Sequence, residues 1–484
     1  MKRENLTLLT DFYELTMANG YFEEDYADVI SYFDIFYRTV PDGGAFVLFA
    51  GLEQMIDYIE NLHFDESDIE YLRSLKIFKE AFLDYLRDFK FSGDVYSCPE
   101  GTPVFPYEPV LTVRAKTIEA QLVETYLLLQ FNHQSLICTK ANRIVRAAKG
   151  RGVMEFGARR AQGESAANLG ARAAVIAGCS CTSNTYAGKI YDLPVSGTMA
   201  HSWVQMFKSE YDAFKKYCEV YGDGSSLLID TYDVLNSGLP TAIKVFKEML
   251  VPKGYKKMSI RIDSGDMAYL TKEIRKRLDA AGLTTCKIIV SNSLDEYLIT
   301  SLQDQGAQID LYGVGERLIT SKSTPVLGGV YKLAGVERKG EFYPKIKISE
   351  NADKITTPGW KDIYRIYDNK TKKAIADLVT LHDETVPTDN LTIFDPQETW
   401  KEKKLTDYTL VQLKEPIFLN GKLVYKRKSI DEIKTNVKTR VEEFWPEVLR
   451  FENPHTYHVD LSYDLWSLKQ KLLFNHRERK NTED

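Results

Sequence analysis

The pattern of apolar and polar positions changes character once along the chain. Over the first 150 residues strand and helix spacings are mixed. Asp11 and Glu14 read as an N-cap and its capping-box partner, opening a helix that Gly20 can end. Residues 29–40 (VISYFDIFYRTV) are rich in β-branched and aromatic side chains, and the turn Pro41-Asp42-Gly43-Gly44 closes that strand. Helical spacing returns over 46–59 and 78–89. Between 91 and 114, Gly93, Pro99, Gly101, Pro103, Pro106 and Pro109 interrupt short Val/Phe/Tyr segments, which predicts a small open β structure with tight turns. A long helical pattern then covers about 118–148.

From Val153 a regular rhythm takes over. Short β-type runs recur near 153–156, 178–181, 193–196, 226–230, 258–262, 286–291 and 308–312. Helical segments over 164–177, 184–191, 209–221, 239–250, 267–280 and 295–304 separate most of them. Strand then helix, repeated about seven times, predicts a parallel sheet with crossover helices. Several of these strands end in polar, Gly-containing segments, whereas a dinucleotide-binding fold concentrates its glycines after the first strand. That favours a (β/α) barrel, whose site is assembled from many strand ends on one face. After Pro325 the pattern is β again: residues 330–349 (VYKLAGVERKGEFYPKIKIS) read as a hairpin, and Asn420-Gly421 between apolar strands signals another. Ser429 and Glu432 form a capping box for a helix through about Val448.

Composition narrows the classes. Of 484 residues 44% are apolar and 27% charged, the balance of an ordinary globular protein. A net charge of −6 argues against nucleic acid or a membrane surface as partner, so any polyanionic ligand must meet a local Arg/Lys cluster. No apolar stretch reaches the roughly 20 residues of a membrane helix, and the N-terminus lacks the pattern of a signal peptide. Six cysteines in a chain of this length are no disulfide framework, and the pair Cys179 and Cys181 lacks further ligands at zinc spacing. A cytoplasmic protein is expected.

The strand ends carry the chemistry. In order they read Glu155-Phe156-Gly157-Ala158-Arg159-Arg160, Ser180 to Asn184, and Ser196-Gly197-Thr198-Met199-Ala200-His201-Ser202. Asp230-Thr231-Tyr232-Asp233, Arg261-Ile262-Asp263-Ser264-Gly265-Asp266, Ser291-Asn292 and Gly313-Val314-Gly315-Glu316-Arg317 follow. Hydroxyls, arginines and carboxylates at these positions suit a phosphorylated, hydroxylated substrate. Gly313-Val314-Gly315 can turn main-chain N–H groups toward a phosphate, although an ordinary turn has the same spelling. Arg159 and Arg160 at a helix start oppose the helix dipole, and Arg261 inside a strand end is costly unless an anion meets it. His201 sits in a Gly/Thr/Ser-rich loop, so a packed core histidine is the weaker reading.

Five ordered segments then carry a family resemblance: LLTDFYELTMANGYF, EFGARRAQG, GTMAHSWVQ, RIDSGD and YGVGERL. Together, over almost the whole chain from about Leu8, they closely resemble nicotinate phosphoribosyltransferase. The resemblance implies an α/β protein with an irregular (β/α) barrel of the type II phosphoribosyltransferase kind. Expected are an N-terminal α/β sandwich over 1–130, the barrel over 131–325, a return segment over 326–400 that completes the sandwich, and a C-terminal α+β segment over 401–484. It implies nicotinate, 5-phosphoribosyl 1-pyrophosphate and ATP as ligands, magnesium or manganese as metal, and a homodimer with shared sites. His201 corresponds to a histidine that ATP phosphorylates. Tyr13 would reach the partner subunit's site, and Phe156 would stack on the other face of the pyridine ring. Arg159, Thr198, Ser202 and Arg261 would contact nicotinate. Asp263, Ser264 and Gly265 would meet ribose and pyrophosphate, with Asp263 near the metal, and Gly313 and Gly315 would hold the 5-phosphate. Glu316 departs from relatives that carry a phosphate-binding Thr there, which leaves position 316 its backbone N–H.

Two other readings compete. Nicotinamide phosphoribosyltransferase, from the same superfamily, places an Asp in the segment corresponding to Ser180–Asn184. Ser-Cys-Thr-Ser-Asn holds no acid, which favours a carboxylate substrate. A catalytically silent nucleotide-sensing barrel is disfavoured by the intact His201 and RIDSGD segments.

Overall fold

The computed structural model describes residues 5–483. The chain forms two compact units: one from the chain up to Leu136 together with everything from Val326, the other from Ile137 to Pro325. No helix among the described residues is long and apolar enough to cross a membrane.

The second unit is built on six parallel strands: β1 (Gly152–Glu155), β2 (Cys181–Thr182), β3 (Ser226–Leu228), β4 (Ser259–Ile262), β5 (Lys287–Ser291) and β6 (Leu311–Val314). Their order across the sheet is β2-β1-β6-β5-β4-β3, so the first strand in sequence lies beside the last. Residues such as Val153, Leu227, Ile260, Ile288 and Val314 are buried, because crossover helices cover a parallel sheet. Those helices include Glu164–Ile176, Glu210–Tyr221, Leu239–Met249, Met267–Ala280 and Glu296–Asp304. The predicted strand at 193–196 is reduced to one parallel bridge, Thr182 to Val195. Pro194 has no N–H to give; its carbonyl accepts from Thr182, and Ser196 N–H donates back to the Thr182 carbonyl. Among the described residues no ladder joins β3 to this segment. Asp233 caps a π-helical turn, Val234–Gly238, whose Gly238 passes so close to the Ile229 carbonyl that no side chain fits.

The first unit holds a seven-stranded antiparallel sheet that draws on both stretches of chain. Residues 30–36 lie between 111–116 and 330–338, with 341–344 outermost on that side. Residues 94–97, 415–419 and 422–423 complete the other side. A second sheet joins 408–412, 361–368, 374–381 and 459–461. Aromatic stacking knits the core: Phe33 lies on Tyr331 at 4.7 Å and Tyr58 on Tyr126 at 4.0 Å between ring centroids. Asn420 (φ 50°) and Gly421 (φ 73°) make the predicted hairpin turn, and a β-carbon at Gly421 would lie 2.6 Å from the Phe91 carbonyl oxygen. The Ser429–Glu432 capping box is present, though its helix stops at Glu442.

The N-terminal helix differs from expectation. It runs Phe12–Glu23, past Gly20, and Asp11 makes no side-chain cap. The Glu14 carboxylate is buried and accepts from the hydroxyls of Thr10 and Thr125 instead of closing a capping box. The 46–59 pattern resolves into a two-residue strand, Val47–Leu48, and a helix, Leu52–Asn61, entered through Gly51 at φ 105°. A helix at Glu66–Ser74, capped by Asp65, had no apolar periodicity strong enough to announce it.

At the centre of this unit Arg365 and Asp377 are wholly buried, with 2.6 Å between Nη2 and Oδ2. Asp377 also accepts from Tyr457 Oη at 2.8 Å, and the guanidinium lies over the ring of Phe444. Truncating one member of such a pair strands the other charge. Asp377→Ala should therefore cost about 3–5 kcal/mol, read as a lowered thermal midpoint; an unchanged midpoint would contradict the assignment of this pair as a structural tie.

Candidate active site

The carboxyl ends of β1, β2, β4 and β6 bring together much of the predicted constellation. Phe156 follows β1, and its N–H donates to the Val314 carbonyl at 2.7 Å, extending the β1–β6 ladder by one residue. Its ring lies where a β-carbon on Gly313 would be, 2.8 Å from Cδ2, so Gly313 is there to admit the ring. Gly157 is confined in the same way, 2.6 Å from Ile319 Cβ for an added β-carbon. Gly315 lies against the Phe156 carbonyl and opens the one-turn helix Glu316–Ile319.

Arg159 and Arg160 sit exposed on a single 3-10 turn, Ala158–Arg160. Arg160 lies 3.8 Å from the Glu316 carboxylate, which Lys322 meets at 2.6 Å. The Lys322 ammonium is the first reason the Glu316 carboxyl is held below the usual range. Glu316 is thus a partner for neighbouring cations beside the Gly313–Gly315 turn.

Arg261 on β4 donates from Nη1 to Thr198 Oγ1 at 2.5 Å, while its Nε is buried with no hydrogen-bond partner. Burial pulls the guanidinium below its ordinary value, Asp263 and Asp230 oppose this, and the charge of Arg159 adds to it. Arg159 is thus near enough to act on Arg261, whose buried Nε has no partner among the described residues. His201 opens the short helix His201–Gln205, and its Nδ1 lies 3.1 Å from Thr231 Oγ1. Among the described residues its Nε2 has no hydrogen-bond partner. Ser202 is exposed beside it.

The turn after β4 rests on a residue to which the strand-end pattern gave no role. Asp230 Oδ2 accepts from Asp263 N–H at 2.8 Å and from Ser264 Oγ at 2.7 Å, and its Oδ1 is buried without a partner. Asp263 in turn accepts from the Ser291 hydroxyl. Gly265, at φ 85°, lets the chain leave this turn. Asp230 was visible only as an acid at a strand end; its partner lies 33 residues away across a parallel ladder, which spacing does not reveal.

In the other unit Tyr13 is 45% exposed on the helix Phe12–Glu23. Burial and the adjacent Glu124 carboxylate push its phenol well above the ordinary value, so it stays protonated. Leu9, Phe12 and Met17 are exposed near it in sequence.

Magnesium is the metal that the resemblance implies. Among the described residues no three His, Cys, Asp or Glu side chains converge as a metal cage, and the six cysteines are buried. Magnesium bound with phosphates needs only one or two carboxylates. Asp230, with its free buried Oδ1, and Asp263 at the neighbouring strand end supply such a donor set.

Known proteins match the chain along nearly its whole length. The profile of the nicotinate phosphoribosyltransferase (NAPRTase) N-terminal domain matches residues 8–132, that of the NAPRTase family 152–356, and that of the C-terminal domain 360–469. The chain is 44% identical to nicotinate phosphoribosyltransferase of Bacillus subtilis (strain 168), over 99% of this chain and 97% of that protein. It is 33% identical to nicotinate phosphoribosyltransferase of Caenorhabditis elegans, over 96% and 93% respectively. The crystal structure of human nicotinic acid phosphoribosyltransferase superposes with a TM-score of 0.84 at 28% identity, covering 96% of this chain and all of that one. With three profiles and a full-length relative in agreement, the chain belongs to the nicotinate phosphoribosyltransferase family.

Proposed function

We propose that this chain joins nicotinate to 5-phosphoribosyl 1-pyrophosphate, giving nicotinate mononucleotide and pyrophosphate, as the first step in recovering nicotinate for NAD. The observation that carries the choice of acid over amide is Arg261, a half-buried guanidinium hydrogen-bonded to Thr198, with Arg159 acting on it and its buried Nε without a partner. A ring carboxylate supplies an acceptor through charge-assisted hydrogen bonds, with Ser202 as a further donor. Phe156 stacks on the pyridine ring. The ring nitrogen attacks the sugar C1, the bond from C1 to the pyrophosphate oxygen breaks, and its electron pair leaves with pyrophosphate. The nitrogen is already nucleophilic, so the site needs orientation and charge stabilisation more than a base.

Asp263, Ser264 and Gly265 hold ribose and pyrophosphate, on the support of their tie to Asp230. Gly313 and Gly315 present backbone to the 5-phosphate. Asp263 and Asp230 would hold magnesium, which neutralises the leaving pyrophosphate when bound. The sheet is read as an irregular barrel because β1 pairs with β6, and residues 326–400 as a return segment because 330–338 pairs with 30–36. Six cysteines in a chain of this length, too few for a disulfide framework, fit a reducing cytoplasm.

ATP is the third ligand in this reading. His201 has one ring nitrogen engaged by Thr231 and the other unengaged, the arrangement a phosphoryl acceptor needs. The terminal phosphate passes to His201, ADP leaves, and the phosphohistidine orders the arginine-bearing loops. A homodimer with shared sites is supported by the exposed Tyr13, Phe12 and Leu9.

Wild-type protein should prefer nicotinate over nicotinamide by at least roughly a hundredfold in kcat/KM, since charge-assisted bonds run to about 1.5–3 kcal/mol each. Asn184 is committed to capping the helix Thr185–Tyr191 and to Asn168, so the exposed Ser183 is the position for an added acid. Ser183→Asp should depress nicotinate use and narrow the preference; equal use of both substrates by wild type would replace the carboxylate reading with the amide one.

His201→Ala should fold normally and lose stimulation by ATP. Acid-labile label from γ-labelled ATP that survived in this variant would place the phosphoryl group elsewhere.

Mixing inactive Tyr13→Ala chains with inactive His201→Ala chains should regenerate activity in heterodimers. Absence of recovery after proven subunit exchange would rule out shared sites.

A further inference from the structure

The same strand ends contain a buried acid that the transfer chemistry does not call on. Glu155, the last residue of β1, has no exposed surface. One carboxylate oxygen accepts from the Gly157 N–H, which fixes the turn that carries Phe156. The other accepts from Thr182 Oγ1 at 2.6 Å, on the end of β2. Thr182 Oγ1 accepts in turn from Asn184 N–H at 3.0 Å, and the Glu155 carbonyl accepts from Ser183 N–H at 2.8 Å. Through its backbone Thr182 also holds Pro194 and Ser196, the segment that leads to Thr198 and so to Arg261. One carboxylate therefore ties together the stacking residue, the segment where an acid would select for an amide, and the approach to the carboxylate-binding arginine.

We propose that Glu155 is a positioning residue for nicotinate, holding the Phe156 turn and the Thr182–Asn184 strand end at the spacing that admits the pyridine ring. The inference rests on the reading that Phe156 stacks on that ring. A packed apolar pair could have joined β1 to β2 more simply, because an ionised carboxylate at this depth is a cost to the fold. Burial holds the Glu155 carboxyl above the usual range, against the pull of its two donors. A raised value means the acid favours folding while protonated, and that contribution is lost as pH rises through the folded value. Ionised at this depth the carboxylate adds no stability of its own, while two strand ends gain a common anchor.

This separates function from stability. Glu155→Gln keeps the shape and an acceptor for Gly157 but loses the anionic acceptor for Thr182. At pH 8 it should raise KM for nicotinate on the order of tenfold, the effect of one charge-assisted hydrogen bond. KM for 5-phosphoribosyl 1-pyrophosphate should stay within about twofold, with the thermal midpoint at or above that of wild type. Thr182→Val should show the same selective rise, Thr182→Ser should restore the wild-type value, and combining Glu155→Gln with Thr182→Val should add little. Phe156→Ala, run in parallel, must raise KM for nicotinate if the ring stacks there. If Phe156→Ala does so and Glu155→Gln does not, the role given to Glu155 is refuted. If Glu155→Gln lowers the midpoint and weakens both substrates together, Glu155 is merely structural and the inference fails. If Phe156→Ala leaves nicotinate untouched, the stacking reading fails first and takes this inference with it.

Discussion

The parallel pairing of Gly152–Glu155 with Leu311–Val314 is the constraint on which the candidate site depends. It joins the first strand of the second unit to the last, more than 150 residues on, and sets Phe156 against Gly313 and Arg160 near Glu316. A one-residue slip would turn every side chain to the opposite face, removing Phe156 from the site and Val153 from the core. The register is over-determined: the ladder continues into Phe156 N–H, and Gly313 and Gly157 each occupy places where a β-carbon would collide. Glycine at those positions serves close approach, since neither has a positive φ.

Upon that frame the charges are arranged so that some remain unanswered. Arg160, Lys322 and Glu316 answer one another at the surface, and Asp230 is spent on the turn that carries Asp263 and Ser264. Arg261 and Arg159 are left with like charge nearby. A site that must gather a carboxylate, a phosphate and a pyrophosphate on a protein of net charge −6 needs such local excess, because the global field repels all three. The contrast with Arg365 is instructive. There a fully buried guanidinium meets the Asp377 carboxylate directly at 2.6 Å and lies over the Phe444 ring, so its charge is answered within the fold.

Much of this was legible in the sequence where the signal is local. The strand–helix rhythm from Val153, the Asn420-Gly421 turn and the Ser429–Glu432 capping box each depend on residues within a few positions of one another. Reading failed where a distant partner takes over a side chain. Glu14 has the spacing of a capping box, but Thr125 from another helix claims its carboxylate, and the helix runs on past Gly20. Asn184 stands in the segment that lacks an acid, and it caps its own helix and bonds Asn168, a partner 16 residues away. The segment at 193–196 has strand composition, but Pro194 limits it to a single bridge.

Glu155 and Asp230 mark the same limit within the site. Each is an acid at the end of an apolar run, a position that in sequence reads as the first exposed residue after a strand. In the folded chain each is buried and each accepts from the strand end beside it: Glu155 from Thr182, Asp230 from Asp263 and Ser264. Parallel strands place their carboxyl ends side by side, so an acid on one strand end can organise a loop that follows another. The residues that touch ligand can then remain small, hydroxylated or cationic. The anionic groups, which would repel a phosphorylated substrate if they faced it, are instead engaged by backbone and hydroxyl donors underneath, save for Asp230 Oδ1, which has no such donor. Acids in such a site are thus consistent with anionic ligands, because their charge is spent on holding the loops that receive them.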